Sequence, residues 1–404
     1  MIGPGDYADR EALEGAFASH VDPGKVEMWR LGDLQLVMGE REGARFQDAY
    51  SGRWFYNCHS NGGVFNLGHR NPRVIAAVRD ALEHADIGNH HLVSPYRAAA
   101  AERLAATTGG ALPGVVFSVG GGEAVDLALK LARAHTGRDT IVSVEGAYHG
   151  HTGLALAAGS GSERLLFHND LPGFRRVPYN DGGAMATAID ERTAAVILEA
   201  IPATAGFPMP DPGYLAAVRA ACDEAGALLV LDEVQTGLGR TGTVWYHQQE
   251  DVTPDLLVTG KGLSGGIYPI AATLMIADVH RFFGEHPFSQ VSTFGGADVG
   301  CVAAAEVCDI ITEAGFAERV EAVGARIEAA VADLGFGIRR RGLLLAFVFD
   351  EPHGGMTAMK QLFDGGIYAF FASFDPRVLQ FKPALTVTDD DVDAIIDIVR
   401  ATFG

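Results

Sequence analysis

The sequence predicts an α/β protein with a mostly parallel central sheet, helices on both faces, and a smaller α+β unit at its C-terminal end. Short apolar runs alternate with helix-like segments through the middle of the chain, which is typical of strands buried on both faces. After residue 298 the pattern changes to longer helical segments around a single apolar run. At about 150 residues per domain, a 404-residue chain that is 48% hydrophobic is long enough for both units.

Before the alternation begins, residues 1–60 form a mixed segment with a polar helix at 10–20 and extended pieces around 34–37 and 45–50. Helices are predicted at 74–85, where Val74, Val78 and Ala81 share one face, and at 95–107. A further helix at 213–224 ends at Gly226, which suits a left-handed C-cap. The other predicted elements of the central part are strands at 115–118, 140–144, 194–198, 227–231 and 256–259, and a helix at 123–135.

The C-terminal part is predicted to contain helices at 299–312, 317–334 and 389–403 and a strand at 343–349. We therefore divide the chain into an N-terminal segment that contributes to the small domain (1–60), a large domain (61–298) and a C-terminal small domain (299–404).

Composition excludes several classes of function. With 31 Lys and Arg against 51 Asp and Glu, the net charge of −20 opposes binding to nucleic acids and anionic membranes. The N-terminus lacks the pattern of a signal peptide, and every apolar stretch is shorter than the roughly 20 residues that span a bilayer. Four scattered cysteines and dispersed histidines predict a cytoplasmic protein with reduced thiols and no metal site.

Three segments are poor structural choices unless a ligand binds there. Residues 118–124 (SVGGGEA) place three glycines between a strand and a helix, where backbone N–H groups can approach a phosphate. The segment matches neither GxGxxG nor GxxxxGK[ST], which disfavours a dinucleotide or P-loop triphosphate site. A simple tight turn is the alternative interpretation.

The second and third segments supply a carboxylate and an amine. Asp232 and Glu233 follow a buried strand, and such a carboxylate could keep a heterocyclic nitrogen protonated; an acidic helix cap is the alternative. Lys261 lies between glycines at the end of the next strand, where a desolvated amine could form a Schiff base; a solvated loop lysine is the alternative. A phosphate cup, a pyridinium partner and an aldimine lysine on successive turns are the components of a pyridoxal phosphate site.

The run LLVLDEVQTGLGRTGTVWYHQQEDVTPDLLVTGKGLSGGIYPIAA at 228–272 resembles the central motif of the class III aminotransferases, the ornithine and ω-amino acid group of fold-type I pyridoxal phosphate enzymes. Further matches lie in order along the chain: GVFNLGHRNP (63–72), GEAVDLALKLAR (122–133), GAYHG (146–150), STFGG (292–296) and KPALT (382–386).

The resemblance implies a function for particular residues. Lys261 would form the internal aldimine and shuttle the proton, while Asp232 would pair with the pyridinium nitrogen. The remaining cofactor contacts it implies are Gln235 at the ring hydroxyl, Val234 and Tyr148 on opposite ring faces, Glu199 near the Gln235 side, Gly121 and Gly122 at the phosphate, and Thr293 at the phosphate of the neighbouring subunit. It also implies a homodimer with active sites at the interface.

Departures from the family pattern concern both the phosphate contacts and the substrate contacts that the resemblance implies. Gly120 and Gly122 replace residues whose hydroxyls bind phosphate, and His151 replaces an arginine of the 4-aminobutyrate type. Thr204 replaces a gating glutamate, and Gln380 occupies the place of the arginine that binds a carboxylate. Without that guanidinium an ordinary ornithine or 4-aminobutyrate specificity is not expected. Other cations could bind a carboxylate or be surface charges: Arg53, Arg97, Arg377 and Lys382.

The sequence thus predicts an aminotransferase that transfers an amino group from an amine or a non-standard amino acid to a keto acid or aldehyde. A racemase or mutase, a decarboxylase or an ammonia-lyase on the same scaffold is the alternative, because these reactions begin from the same cofactor–substrate adduct. A non-catalytic descendant would require loss of Lys261 or Asp232, and both are present.

Overall fold

The computed structural model describes residues 3–404, so residues 1 and 2 of the predicted N-terminal segment lie outside the described residues. The first part of the chain contains helices and three short strands that pair antiparallel in chain order. Its elements are α1 (Arg10–His20), α2 (Pro23–Leu31), β1 (Met38–Glu42), β2 (Arg45–Asp48), β3 (Trp54–Asn57), α3 (Ser60–Gly63), α4 (Pro72–Leu82) and α5 (Pro95–Ala106).

The central part alternates between strands and helices, as the sequence predicts. Its elements are β4 (Gly114–Ser118), α6 (Gly121–Thr136), β5 (Thr140–Val144), α7 (Gly153–Ala158), α8 (Glu163–Leu166), β6 (Phe174–Val177), α9 (Gly182–Ala188), β7 (Thr193–Glu199), α10 (Tyr214–Ala225), β8 (Leu228–Asp232), β9 (Leu256–Thr259), β10 (Ala271–Met275), α11 (Ala277–His280) and α12 (Phe282–Glu285). Gly226 caps α10 in the left-handed region, with φ of 62°.

Within residues 3–404, β4 to β10 form a seven-stranded sheet in the order β4-β10-β9-β8-β7-β5-β6. Strand β10 runs antiparallel to β4 and β9, and the remaining pairs are parallel. The carboxyl ends of β4, β5, β7, β8 and β9 therefore lie at one edge. This arrangement confirms the predicted mostly parallel α/β sheet.

The side chains of each central strand divide between two cores, one on each face of the sheet. In β8, Leu229 and Leu231 join the core that also contains α4, α5 and α13 (Asp298–Ile311), whereas Leu228 and Val230 join the core under α6. Successive side chains of a strand point to opposite faces, and here both faces are covered by helices. These strands are therefore apolar at every position rather than at alternate ones.

The C-terminal part has a core of its own. Its elements are α14 (Phe316–Val331), β11 (Gly337–Arg341), β12 (Leu344–Val348), α15 (Gly354–Gly365), β13 (Ile367–Tyr368), β14 (Phe370–Ala372), β15 (Asp375–Phe381) and α16 (Asp389–Phe403). This third core lies under an antiparallel sheet of order β11-β12-β15-β14. Strand β13 pairs instead with β3 of the N-terminal part, in parallel.

One predicted extended piece is wrong in position. Residues 34–37 form no strand, and the strand begins at Met38. The turn at Gly43, with φ of 53°, places Glu42 opposite Arg45, so pairing with β2 starts directly before this turn. The carboxylate of Asp48 accepts the N–H of Val37 at 2.9 Å, which satisfies this backbone group without strand pairing.

Candidate active site

The residues predicted from the sequence to form a site, with the exception of Thr293, line one cavity of about 150 Å³. Two further residues, His149 and Gly150, complete its lining. The predicted lining residues are Gly121, Gly122, Tyr148, Glu199, Asp232, Val234, Gln235 and Lys261.

Sheet register brings these residues together. Glu199 is the last residue of β7 and lies directly opposite Asp232, the last residue of β8, and Asp232 lies opposite Val258 of β9. Lys261 follows β9, and the glycine turn follows β4. Ligands of open α/β sheets bind outside the carboxyl ends of the strands, where this cavity lies.

Lys261 has a strained backbone. Its φ is 44°, in the left-handed region that a lysine rarely adopts, and Ser264 Oγ donates to its carbonyl at 2.7 Å. Burial lowers the pKa of the Lys261 amine, against the opposing effect of the Asp232 and Glu199 carboxylates. A larger fraction of this amine is therefore unprotonated, and able to act as a nucleophile or base, than of an exposed lysine.

The carboxylate of Asp232 is buried and held at both oxygens. Oδ2 accepts from His149 Nδ1 at 2.8 Å and Oδ1 accepts from the N–H of Val234 at 3.1 Å. His149 is itself buried, and its Nε2 has no partner among the described residues. Sequence reasoning missed His149 as a site residue, although it stands in the quoted GAYHG motif.

Glu199 accepts from the N–H of Tyr148 at 2.9 Å and from that of Ala203 at 3.4 Å. Burial, followed by the charge of Asp232, raises the pKa of Glu199 to about 7, against the opposing effects of His149, the Tyr148 N–H and Lys261. In the folded protein, Glu199 thus keeps its proton at pH values at which the same residue of the unfolded chain is ionised.

This pKa predicts a pH-dependent stability of the apoprotein. A raised folded-state pKa contributes stability at low pH that is lost as the pH rises from about 4.5 to about 7. We expect the free energy of unfolding in urea to fall over this window by up to ~3 kcal/mol on account of Glu199. Glutamine cannot ionise, so Glu199→Gln should remove this part of the pH dependence. A variant with the same pH profile of unfolding free energy as the parent would contradict the raised pKa of Glu199.

The glycine turn presents backbone donors to the cavity. Gly120 is the N-cap of the 16-residue helix α6 and has no side chain to bind the N–H groups of the first turn. Such a helix N-terminus attracts anions. A Cβ on Gly122 would lie 2.9 Å from Thr152 Oγ1, so the space that a side chain at 122 would need is occupied by Thr152.

The backbone at residue 150 passes so close to the backbone of Gly122 that it has no room for a side chain. Its φ is 116°, and a Cβ there would lie 2.8 Å from the Cα of Gly122. We expect Gly150→Ala to reduce the free energy of unfolding by about 2–3 kcal/mol, since it combines backbone strain with a clash. Gly120→Ala is the matched control, because its backbone is extended and a Cβ would meet nothing within 4 Å. Equal urea midpoints for the two variants would contradict this prediction.

Comparison with known proteins identifies the family. The family described as "Aminotransferase class-III" matches residues 30–403. An uncharacterized aminotransferase of Archaeoglobus fulgidus is 45% identical over 386 residues, which cover 94% of this chain and 91% of the relative. The chain belongs to the class III aminotransferases.

Solved structures agree with this family. The ornithine aminotransferase of Toxoplasma gondii, described with partial occupancy of PLP at its active site, superposes with a TM-score of 0.85 at 28% identity and covers 97% of this chain and 96% of its own. The N-acetylornithine aminotransferase of Stenotrophomonas maltophilia gives 0.79 at 27%, with coverages of 93% and 98%. The aminotransferase thus has the fold-type I architecture that the sequence predicted, and it is a PLP-dependent enzyme by family.

Four cationic residues were named above as possible partners of a substrate carboxylate. Among them, Lys382 alone hydrogen-bonds to a residue that lines the cavity of the aminotransferase. Its Nζ donates to Gln235 Oε1 at 3.0 Å. The three arginines bind elsewhere: Arg377 pairs with Asp375 at 2.8 Å, Arg97 donates to the carbonyl of Gly296 at 3.1 Å, and Arg53 donates to the carbonyl of Asp364.

The other departures from the family pattern also have defined places in the aminotransferase. Thr204 donates to the carbonyl of Gly146 at 3.2 Å, Gln380 is buried beside Lys382, and the exposed ring of His151 lies 5.4 Å from that of Tyr148. Thr293 is exposed and does not line the cavity of its own chain. In the part of the chain from residue 3 onward, no helix is both long and apolar enough to cross a bilayer.

Proposed function

We propose that this aminotransferase binds pyridoxal phosphate in the cavity at the carboxyl edge of the large sheet and transfers an amino group from an amine or a non-standard amino acid to a keto acid or aldehyde. The observation that supports this most strongly is that Lys261, Asp232, Gln235 and the glycine turn line the same cavity of about 150 Å³.

The residues present fit the cofactor group by group. Lys261 would hold its aldehyde carbon, Asp232 its ring nitrogen and Gln235 its ring oxygen. The backbone N–H groups of Gly121 and Gly122 would bind its phosphate, and Val234 and Tyr148 would contact the two ring faces. When bound, pyridoxal phosphate withdraws electrons from the carbon that carries the substrate's amino group.

The chain itself supplies proton transfer and charge. The Lys261 amine, with its lowered pKa, would take the proton from the substrate carbon at Nζ. It would then return this proton to the carbon that derives from the cofactor's aldehyde. Asp232 remains in place for the opposite charge on the ring because His149 and the Val234 N–H hold both of its oxygens. Glu199 lies opposite Asp232 at the ends of β7 and β8, so its protonation would change the net charge of the same cavity.

The substrate class follows from the residues around Gln235. Gln380, in the place of the family's carboxylate-binding arginine, is buried and accepts from Lys382 at 2.7 Å. An amide lacks the charge and the planar fork of a guanidinium, which disfavours a substrate whose recognition depends on that arginine. This supports an amine or a non-standard amino acid as donor.

We further propose a cytoplasmic homodimer that binds neither nucleic acid nor membrane. Exposed apolar side chains at Leu92, Val93, Phe288 and Phe294 are available for a subunit interface, with Val93 96% exposed. Thr293, in the same exposed region, would reach the phosphate of the partner subunit. All four cysteines are free, as in a reducing compartment, and the net charge of −20 opposes polyanions.

An absorbance scan of the cofactor-loaded protein tests the reaction type. A panel of amines is added without an amino acceptor, and loss of the visible band as the pyridoxamine form appears would support transamination and identify the donor class. A persistent band with accumulation of ammonia, carbon dioxide or racemised substrate would instead indicate a lyase, decarboxylase or racemase. Sedimentation of the same sample measures the oligomeric state.

A further inference from the structure

Lys382 is a second lysine close to the proposed cofactor site, and its amine is held inside the protein. The residue is 1% exposed and follows directly after strand β15. Its Nζ lies 3.0 Å from Gln235 Oε1 and 2.7 Å from Gln380 Oε1, and 5.2 Å from the centre of the Phe207 ring. Its backbone is also fixed, because its N–H donates to Cys58 and its carbonyl accepts from Ser60 Oγ at 2.7 Å.

Within residues 3–404, no carboxylate lies within ion-pair distance of this amine. Burial lowers the pKa of Lys382 well below its ordinary value, and the charges of Lys261 and Arg240 act in the same direction, against the opposing charge of Glu199. Both protonation states nevertheless have enough N–H groups for two acceptors, since an ammonium has three and a neutral amine has two. The two amide contacts therefore do not depend on the charge of Lys382.

These contacts determine how Gln235 presents its amide. The oxygen and the NH₂ group of a glutamine are attached to one carbon, so a partner for the oxygen decides where the NH₂ points. The N–H groups of Lys382 bind the oxygen of Gln235 and leave its NH₂ without a partner among the described residues. Gln235 lines the cavity beside Lys261 and Asp232, so this free NH₂ is available to a ligand.

We propose that Lys382 is a positioning residue that fixes the amide of Gln235 with Nε2 as a hydrogen-bond donor to the ring oxygen of the cofactor. This inference rests on the proposed function. Without Lys382, the amide can turn over and present its oxygen to another oxygen, which is repulsive when the ring oxygen is anionic. Lys382 would thus act on the cofactor through Gln235, without contacting it.

A double-mutant cycle separates this role from a structural one. The parent, Lys382→Met, Gln235→Ala and the double variant are compared in three measurements: cofactor affinity, the pH midpoint of the visible absorbance of the bound cofactor, and the melting temperature of the apoprotein. Methionine preserves the length of the side chain and removes its N–H groups. The titratable groups that line the cavity are Lys261, His149, Tyr148, Asp232 and Glu199, and the charge of Lys382 also interacts with His59 and Arg240.

We expect Lys382→Met to weaken cofactor binding by about tenfold and to raise the pH midpoint by about one unit, because the deprotonated, more negative form loses a donor. In the Gln235→Ala background the same substitution should change neither quantity, since the residue that it positions is absent. Lys360→Met, at a half-buried lysine of the C-terminal part that does not line the cavity, is the control for loss of a lysine charge.

Two results would overturn the proposal. A shift of equal size in the Gln235→Ala background would show that Lys382 acts by its charge alone, and a lower melting temperature with unchanged affinity and midpoint would show a structural role. Failure of the proposed function is distinguishable, because the parent protein itself would then form no visible band with pyridoxal phosphate.

Discussion

Replacing Lys261 by alanine is expected to abolish the visible absorbance of the loaded enzyme and to lower its transaminase activity by at least about 10⁴-fold. Lys261 is the one residue that would both hold the cofactor's aldehyde carbon and move the proton, and a positioned acid–base group alone contributes 10²–10⁴-fold. Absorbance spectra and initial rates with the best donor of the amine panel measure the two effects.

Folding of the Lys261→Ala variant should be preserved. The substitution removes an amine whose burial is unfavourable to its charged form, so the urea midpoint of the apoprotein should stay equal or rise. Lys360→Ala, at a half-buried lysine paired with Asp33 and Asp364 and absent from the cavity lining, is the matched control and should keep full activity. Retention of more than about a tenth of the parent activity by Lys261→Ala would refute its assignment as the catalytic lysine.

Asp232→Asn is expected to give the second largest loss, a decrease in kcat of about 10²–10³-fold, the size found when a preorganised electrostatic partner is removed. Asparagine has the same shape, so the N–H of Val234 still has an oxygen acceptor while the negative charge is lost. The KM of the amine should change less than kcat, because Asp232 would act on the cofactor ring rather than on the substrate. Steady-state kinetics at saturating cofactor separate the two parameters.

Asp364→Asn, at an exposed carboxylate paired with Lys360, is the control for loss of one negative charge. The Asp232→Asn substitution should also lower the pKa of Glu199, which the charge of Asp232 raises, and so shift the pH dependence of apoprotein stability to lower pH. An Asp232→Asn enzyme with parental kcat would contradict a role in holding the charged ring nitrogen.

Much of the site could be predicted from local sequence. Apolar runs such as 228–232 specify strands buried on both faces, and the residues that follow them lie at the carboxyl edge of the sheet by the geometry of parallel strands. Local sequence therefore predicts that Asp232, Lys261 and the glycine turn are parts of one site. The resemblance to the class III aminotransferases then implied a function for each.

Other contacts depended on the tertiary structure. The edge strand β6 was not predicted, because its sequence Phe-Arg-Arg-Val carries two arginines; Arg176 Nε donates to the carbonyl of Gly159 at 2.8 Å. Strand β10 was also missed, and its antiparallel course follows only from its pairing with β4 and β9. His149 was not assigned to the site from the sequence, since nothing local shows that its ring reaches Asp232, 83 residues away.

The sequence by itself determined the fold class, the family and the residues at the ends of the central strands. Only the tertiary structure decided that Glu199 lies opposite Asp232, and that Lys382 binds Gln235 across 147 residues. The physical reason is that periodicity and glycine content report the burial and backbone freedom of one segment. A contact between distant side chains is fixed instead by strand register and by the packing of separate parts of the chain.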